Sequence, residues 1–195
     1  NDALTHFEKA LKIDPNHSKS HYFVGVIDFQ DEDYASALQH FNKSLELNPE
    51  FSYGLNDRGS AKRMLGDLNG AEQDYSAALV LDKTLDFVYS NRASVRVKLK
   101  KYDGAIEDYT KAIDLKPDNH LHFNNRGNAY FEAKKYEQAI IDFSKSIHLK
   151  GDYAFAYNNR ATAKYKLQDY KGAVADCTKA IELNAKYGYA YLNSC

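Results

Sequence analysis

Four asparagines stand 34 residues apart, Asn91, Asn125, Asn159 and Asn193, and Asp57 holds the same register one step earlier. Each lies within a segment of helical periodicity. Asparagine is a mediocre helix former, so its recurrence there asks for a reason beyond propensity. A carboxamide offers both a donor and an acceptor, so one side chain can pair with the N–H and the C=O of an extended chain whatever that chain's sequence. The chemistry on offer is recognition of peptide backbone. The same column could instead pack between neighbouring helices or face water. A second set of polar residues runs beside it. Arg58, Arg92, Arg126 and Arg160 accompany Asp74, Asp108, Asp142 and Asp176, and both partners are missing from the stretch beginning at Ser18, which carries Val24 and His40 in their places. Residues that appear and disappear together are expected to touch, here as a semi-buried Arg–Asp pair across two helices.

No catalytic residue is legible. The chain has no His-Glu-x-x-His, no phosphate loop, no Gly-x-Ser-x-Gly and no glycine-rich dinucleotide turn. Its carboxylates fall mostly at helix ends and exposed faces, where solvation is the default role. His17 with His21, and His120 with His122, lack a third ligand, so neither a metal nor a cofactor is expected. Cys177 and Cys195 fall in interior columns and read as small packed groups without a disulfide framework. With 26 basic against 27 acidic residues the chain lacks the basic excess that phosphate neutralisation needs, which excludes a nucleic-acid partner. It has no apolar run approaching the roughly 18 residues of a membrane span and no charged-then-apolar leader, so a membrane role is not expected. A cytoplasmic setting is favoured over a secreted one.

The elements that carry these residues are read from the stretch His120 to Tyr153. Phe123, Arg126, Gly127 and Tyr130 recur at helical spacing, as do Ala139, Ile140, Phe143, Ser146 and Ile147 after a Lys-Lys turn. Two amphipathic helices with small residues at Gly127 and Ala139 and rings beside them make an antiparallel hairpin. Stepping by 34 from Ala139 meets Ala3, Ala37, Ala71, Ala105 and Ala173, and stepping from Gly127 meets Gly25, Gly59, Ala93, Ala161 and Cys195. Pro15, Pro49 and Pro117 share one column, where a missing N–H ends the second helix. A fixed period of this length is the signature of a solenoid.

The period, the small residues on both helices, the aromatic column of Phe7, Phe41, Tyr75, Tyr109 and Phe143, and the boundary prolines resemble the tetratricopeptide repeat. The resemblance covers the whole chain. It departs from the pattern where Lys83, Gly151 and Ala185 replace proline and Cys177 replaces an aromatic. It implies an all-α, right-handed superhelical solenoid of antiparallel hairpins over residues 1–195. The second helix of a truncated repeat spans 1–17, full repeats span 18–51, 52–85, 86–119, 120–153 and 154–187, and 188–195 starts another.

In such arrays the first helices line the concave side, and the column Asn91, Asn125, Asn159 and Asn193 resembles the asparagine ladder of the O-linked N-acetylglucosamine transferase superhelix. The implied peptide site interleaves Asn124, Asn128 and Asn158, with Asn56 in the same row, and has Tyr53, Phe87, Leu121, Phe155 and Tyr189 at its edge. The carboxylate clamp of co-chaperone members is not supported, because these columns carry no lysine or arginine. The expected function is a protein-interaction scaffold that binds an extended segment of a protein or peptide partner. The alternative is a structural spacer or self-assembling array. Unpaired apolar faces at Leu4, Phe7 and Leu11, and at Tyr191, Leu192 and Cys195, raise the expectation of head-to-tail self-association.

Overall fold

The computed structural model describes residues 2–187, all of whose regular elements are helices. They are α1 (Asp2–Ile13), α2 (Ser18–Gln30), α3 (Tyr34–Leu47), α4 (Ser52–Met64), α5 (Leu68–Leu81), α6 (Asp86–Lys98), α7 (Tyr102–Leu115), α8 (His120–Glu132), α9 (Tyr136–Leu149), α10 (Ala154–Lys166) and α11 (Tyr170–Tyr187). The fold class is the expected one, an all-α solenoid of helix hairpins, with α2, α4, α6, α8 and α10 as the first helices of successive hairpins. The segment 188–195, with Tyr189 and Asn193 of the implied site and Tyr191, Leu192 and Cys195 of the implied self-association surface, lies outside the described residues. The chain divides into two compact units, Asn1–Leu99 and Lys100–Cys195.

Three residues separate the two helices of a hairpin, and the last two of them make the turn. Glu32 N–H donates to the Phe29 carbonyl and Asp33 N–H to the Asp28 carbonyl, at 3.2 and 2.9 Å, which closes α2 in a Schellman motif. The same pair of bonds closes α4 through Gly66 and Asp67, α8 through Lys134 and Lys135, and α10 through Gln168 and Asp169. The first residue of each turn is left-handed: φ is 63° at Glu32, 87° at Gly66, 60° at Lys134 and 64° at Gln168. Only Gly66 adopts this conformation without a Cβ penalty. The second residue opens the next helix. Asp33 accepts from Ser36 N–H at 3.1 Å, and Asp67 and Asp169 accept from Gly70 and Gly172 N–H at 2.9 Å, as N-caps.

In the first unit the core gathers Leu45, Leu55, Tyr75, Leu79, Val88 and Val95. In the second, Ala139, Phe143 and Ala163 form a buried cluster against Tyr130 and Ile140. The small residues of the first helices work as notches for the rings of the second. A Cβ on Gly127 would stand 2.6 Å from Phe143 Cε1, inside any real contact distance. Cys177 is half-buried on α11.

Candidate peptide-binding face

The first helices within a unit lie side by side, and their amide columns meet. In the first unit Asn91 Nδ2 of α6 donates to Asn56 Oδ1 of α4 at 2.9 Å, Asn56 Nδ2 donates to Asp57 Oδ1 at 2.9 Å, and the Tyr22 hydroxyl of α2 donates to Asp57 Oδ2 at 2.8 Å. In the second unit Asn159 Nδ2 of α10 donates to Asn124 Oδ1 of α8 at 3.1 Å, and Asn124 Nδ2 donates to Asn125 Oδ1 at 3.3 Å. Asn91 and Asn159 therefore tie neighbouring first helices together. Each uses one amide hydrogen for that bond, and a carboxamide has a second hydrogen and two acceptor lone pairs besides.

The implied site residues divide by exposure. Asn91, Asn125, Asn128, Asn158 and Asn159 are half-buried, whereas Asn124 is 4 % exposed and serves as the anchor of its neighbours. Tyr53, Leu121 and Phe155 are exposed, Phe155 by 63 %. Phe87 packs against the core cluster of the first unit, with its ring 5.8 Å from that of Tyr53. Tyr53 and Phe87 thus form one apolar edge, and Phe155, 5.6 Å from the ring of Tyr153, belongs to another.

Burial without a cation pushes the Asp57 carboxyl up from its ordinary range, against the hydrogen bonds from Tyr22 and Asn56. Tyr22 is pushed well above its ordinary value by burial and by the adjacent Asp57 charge. The Arg–Asp columns behave differently. Arg126 Nε and Nη2 donate to Asp142 Oδ2 and Oδ1 at 2.7 and 2.8 Å, and Arg58–Asp74 and Arg160–Asp176 repeat this fork. The third guanidinium nitrogen reaches the second helix of the preceding repeat: Arg58 to Asn42, Arg92 to Ser76, Arg126 to Thr110 and Arg160 to Ser144, at 2.9–3.2 Å. One arginine therefore joins three helices. Reading the chain as hairpins missed this third contact, although Asn42, Ser76, Thr110 and Ser144 are themselves a 34-residue column.

For Asp176, burial alone would raise the carboxyl, but hydrogen bonds from Arg160 and Lys164 outweigh it and hold it below the ordinary range. A carboxylate lowered on folding adds stability that is present above its unfolded value, about 3.9, and is lost as pH falls through the folded value. Asp176→Asn is therefore expected to be less stable than wild type at pH 7, with the difference shrinking below about pH 4. Urea denaturation across this range checks it. A difference that stays constant down to pH 2 would contradict the assignment.

The repeat beginning at Ser18 solves the same problem with other groups. Lys62 pairs with Asp74 at 2.8 Å. One repeat earlier the corresponding residues are Asp28 and His40, whose Oδ2 and Nε2 stand 4.0 Å apart, so acid and base have exchanged helices. His40 Nδ1 is 3.2 Å from His21 Nδ1, and His21 Nε2 donates to the Pro15 carbonyl at 3.0 Å. Among the described residues, no group of three or more His, Cys, Asp or Glu side chains is placed to hold a metal ion, and no helix is long and apolar enough to cross a membrane.

Tandem hairpins of one length, joined by side-chain columns that recur in the same register, define an α-helical repeat protein. The chain belongs to the tetratricopeptide repeat family, whose repeat models match residues 1–50, 93–134, 122–153 and 154–187. Proteins of this family bind protein or peptide partners. No curated protein sequence matches the chain. Its fold is similar to the crystal structure of MamA, at 23 % identity and TM-score 0.79, covering 85 % of this chain and 96 % of that one. MamA 41-end from Desulfovibrio magneticus RS-1 is similar at 19 % identity and TM-score 0.82, with 88 % and 97 % covered. YrrB, described as a TPR protein with an unusual peptide-binding site, is similar at 16 % identity and TM-score 0.76, with 93 % and 94 % covered.

Proposed function

We propose that the chain is a protein-interaction scaffold that holds an extended segment of a partner along its first helices, with Asn91, Asn125 and Asn159 pairing with the segment's backbone. The observation that carries this reading is the state of those amides. Asn91 and Asn159 are half-buried and oriented by a bond to the preceding first helix, so they are ordered before a ligand arrives. The exposed Tyr53, Leu121 and Phe155 beside them offer apolar contacts for alternate side chains of such a segment. The fold similarity to YrrB supports a peptide ligand in this family.

A peptide selected from a random library on the wild-type chain and titrated into isotopically labelled protein is expected to shift amide resonances of α4, α6, α8 and α10. Shifts confined to the second helices α3, α5, α7, α9 and α11 would overturn the placement. The alternative is a structural spacer or self-assembling array, and one observation favours it: the Asn91–Asn56 and Asn159–Asn124 bonds already serve the array itself. Head-to-tail association would add exposed Val174 and Ile181 of α11, beside an apolar cavity of about 500 Å3, to a second copy. Light scattering that shows mass rising with concentration, with no peptide recovered in the selection, would favour the array.

A further inference from the structure

Asp57 is the one acidic member of a column that carries Phe23 one repeat earlier and asparagine in each later repeat, and it stands beside a cavity. The cavity, about 380 Å3, is lined by Val26, Phe29 and Gln30 of α2, Phe41 of α3, and Asp57, Ser60 and Arg63 of α4. Ligand pockets start at about this size. Asp74, Asp142 and Asp176 are each paired with an arginine, but Asp57 receives only the neutral donors Tyr22 and Asn56. Each of its oxygens accepts one of those bonds and keeps a second lone pair. A half-buried carboxylate that keeps an acceptor lone pair on each oxygen and has no cation suits a guanidinium, whose two N–H bonds run parallel.

We propose that this cavity is a subsite for an arginine side chain of the bound segment, seated with its guanidinium on Asp57 and its methylene stem on Val26, Phe29 and Phe41. The inference rests on the first helices binding an extended segment. A long side chain with an apolar stem and a charged tip matches a cavity that offers three apolar side chains and one carboxylate. Arg63 has a different part in it. It lies six residues along α4 from Asp57, about 9 Å of helical rise. Arg63 lines the same cavity. There it suits a backbone carbonyl of the segment, an acceptor, while Asp57 takes the cation. The raised Asp57 carboxyl agrees with a site whose positive charge comes from outside the chain.

The test uses two pentapeptide probes, acetyl-Ala-Ala-Arg-Ala-Ala-amide and the same peptide with citrulline, which keeps the shape of arginine and removes its charge. Titrated into the isotopically labelled chain, the arginine probe is expected to bind at least tenfold tighter and to move the amide resonances of Gly59 and Ser60. Asp57→Asn should abolish the preference while leaving the fold intact, since asparagine occupies the same register at Asn91, Asn125 and Asn159. Equal affinity for the two probes, a preference that survives Asp57→Asn, or no binding of the arginine probe would each overturn the proposal. The double variant Asn125→Ala/Asn159→Ala, confined to the second unit, separates this result from the ladder: it is expected to keep the arginine preference, and losing it would place the preference elsewhere.

Discussion

Arg126→Leu is expected to lower stability by about 3–5 kcal/mol, the usual effect of removing one partner from a buried ion pair. Asp142 is 3 % exposed and receives both arms of the Arg126 fork, at 2.7 and 2.8 Å. Leucine leaves that carboxylate buried with no cation to offset its lost hydration. It also removes the 3.1 Å bond from Arg126 to Thr110, so α8 loses its polar link to α7 as well as to α9. Replacing Arg126 and Asp142 together with apolar residues is expected to be far milder, because the pair's desolvation is then removed with the pair. In the repeat at Ser18 buried Val24 holds the arginine position, while the aspartate position carries His40, which faces Asp28. Chemical denaturation of the single and double variants checks both statements. A change below about 0.5 kcal/mol for Arg126→Leu would mean that the pair behaves as a solvated surface contact.

Phe143→Ala is expected to have a similar effect, about 3–5 kcal/mol, by a different mechanism. The ring is fully buried in α9 and fills the notch that Gly127 leaves in α8. Truncation removes the transfer free energy of the ring and leaves a void that helix backbone on one side cannot collapse to fill. The same ring-in-notch contact recurs in the first unit between Tyr75 and Gly59 and between Phe41 and Gly25. Phe143→Leu, which keeps most of the apolar volume, should recover much of the loss. Thermal and urea unfolding of the two variants decide it, and a loss under about 1 kcal/mol for alanine would contradict the packing role.

Helix positions were legible in the sequence because the signals for them are local and repeat. Gly127, Ala139, Phe143 and the prolines mark the faces and ends of helices by spacing alone. The Arg–Asp pairs were legible for a related reason: the repeat lacking one partner also lacks the other. The turns were less legible. Only Gly66 advertises a left-handed residue, whereas Glu32, Lys134 and Gln168 take the same conformation because the Schellman bonds around them impose it. The site was legible as a column but not as a set of bonds. Spacing assigns Asn91 and Asn159 to one face of their helices, yet their partners Asn56 and Asn124 lie 35 residues away, and only the stacking of neighbouring repeats brings them into reach. Phe87 shows the same limit, since its register marks an edge position and its neighbours draw it onto the core.

Binding of peptide backbone by the asparagines of the first helices is tested most directly by the affinity of one peptide for two proteins. The peptide is the one selected from a random library on the wild-type chain. The second protein carries Asn91→Ala, Asn125→Ala and Asn159→Ala together. Each lost amide contact is worth about 1 kcal/mol, so the triple variant is expected to bind roughly a hundredfold more weakly. Circular dichroism should show its helical content unchanged, which separates lost binding from lost fold. Affinity within about twofold of wild type, with the helices intact, would contradict the claim and leave Asn91 and Asn159 as struts between neighbouring helices.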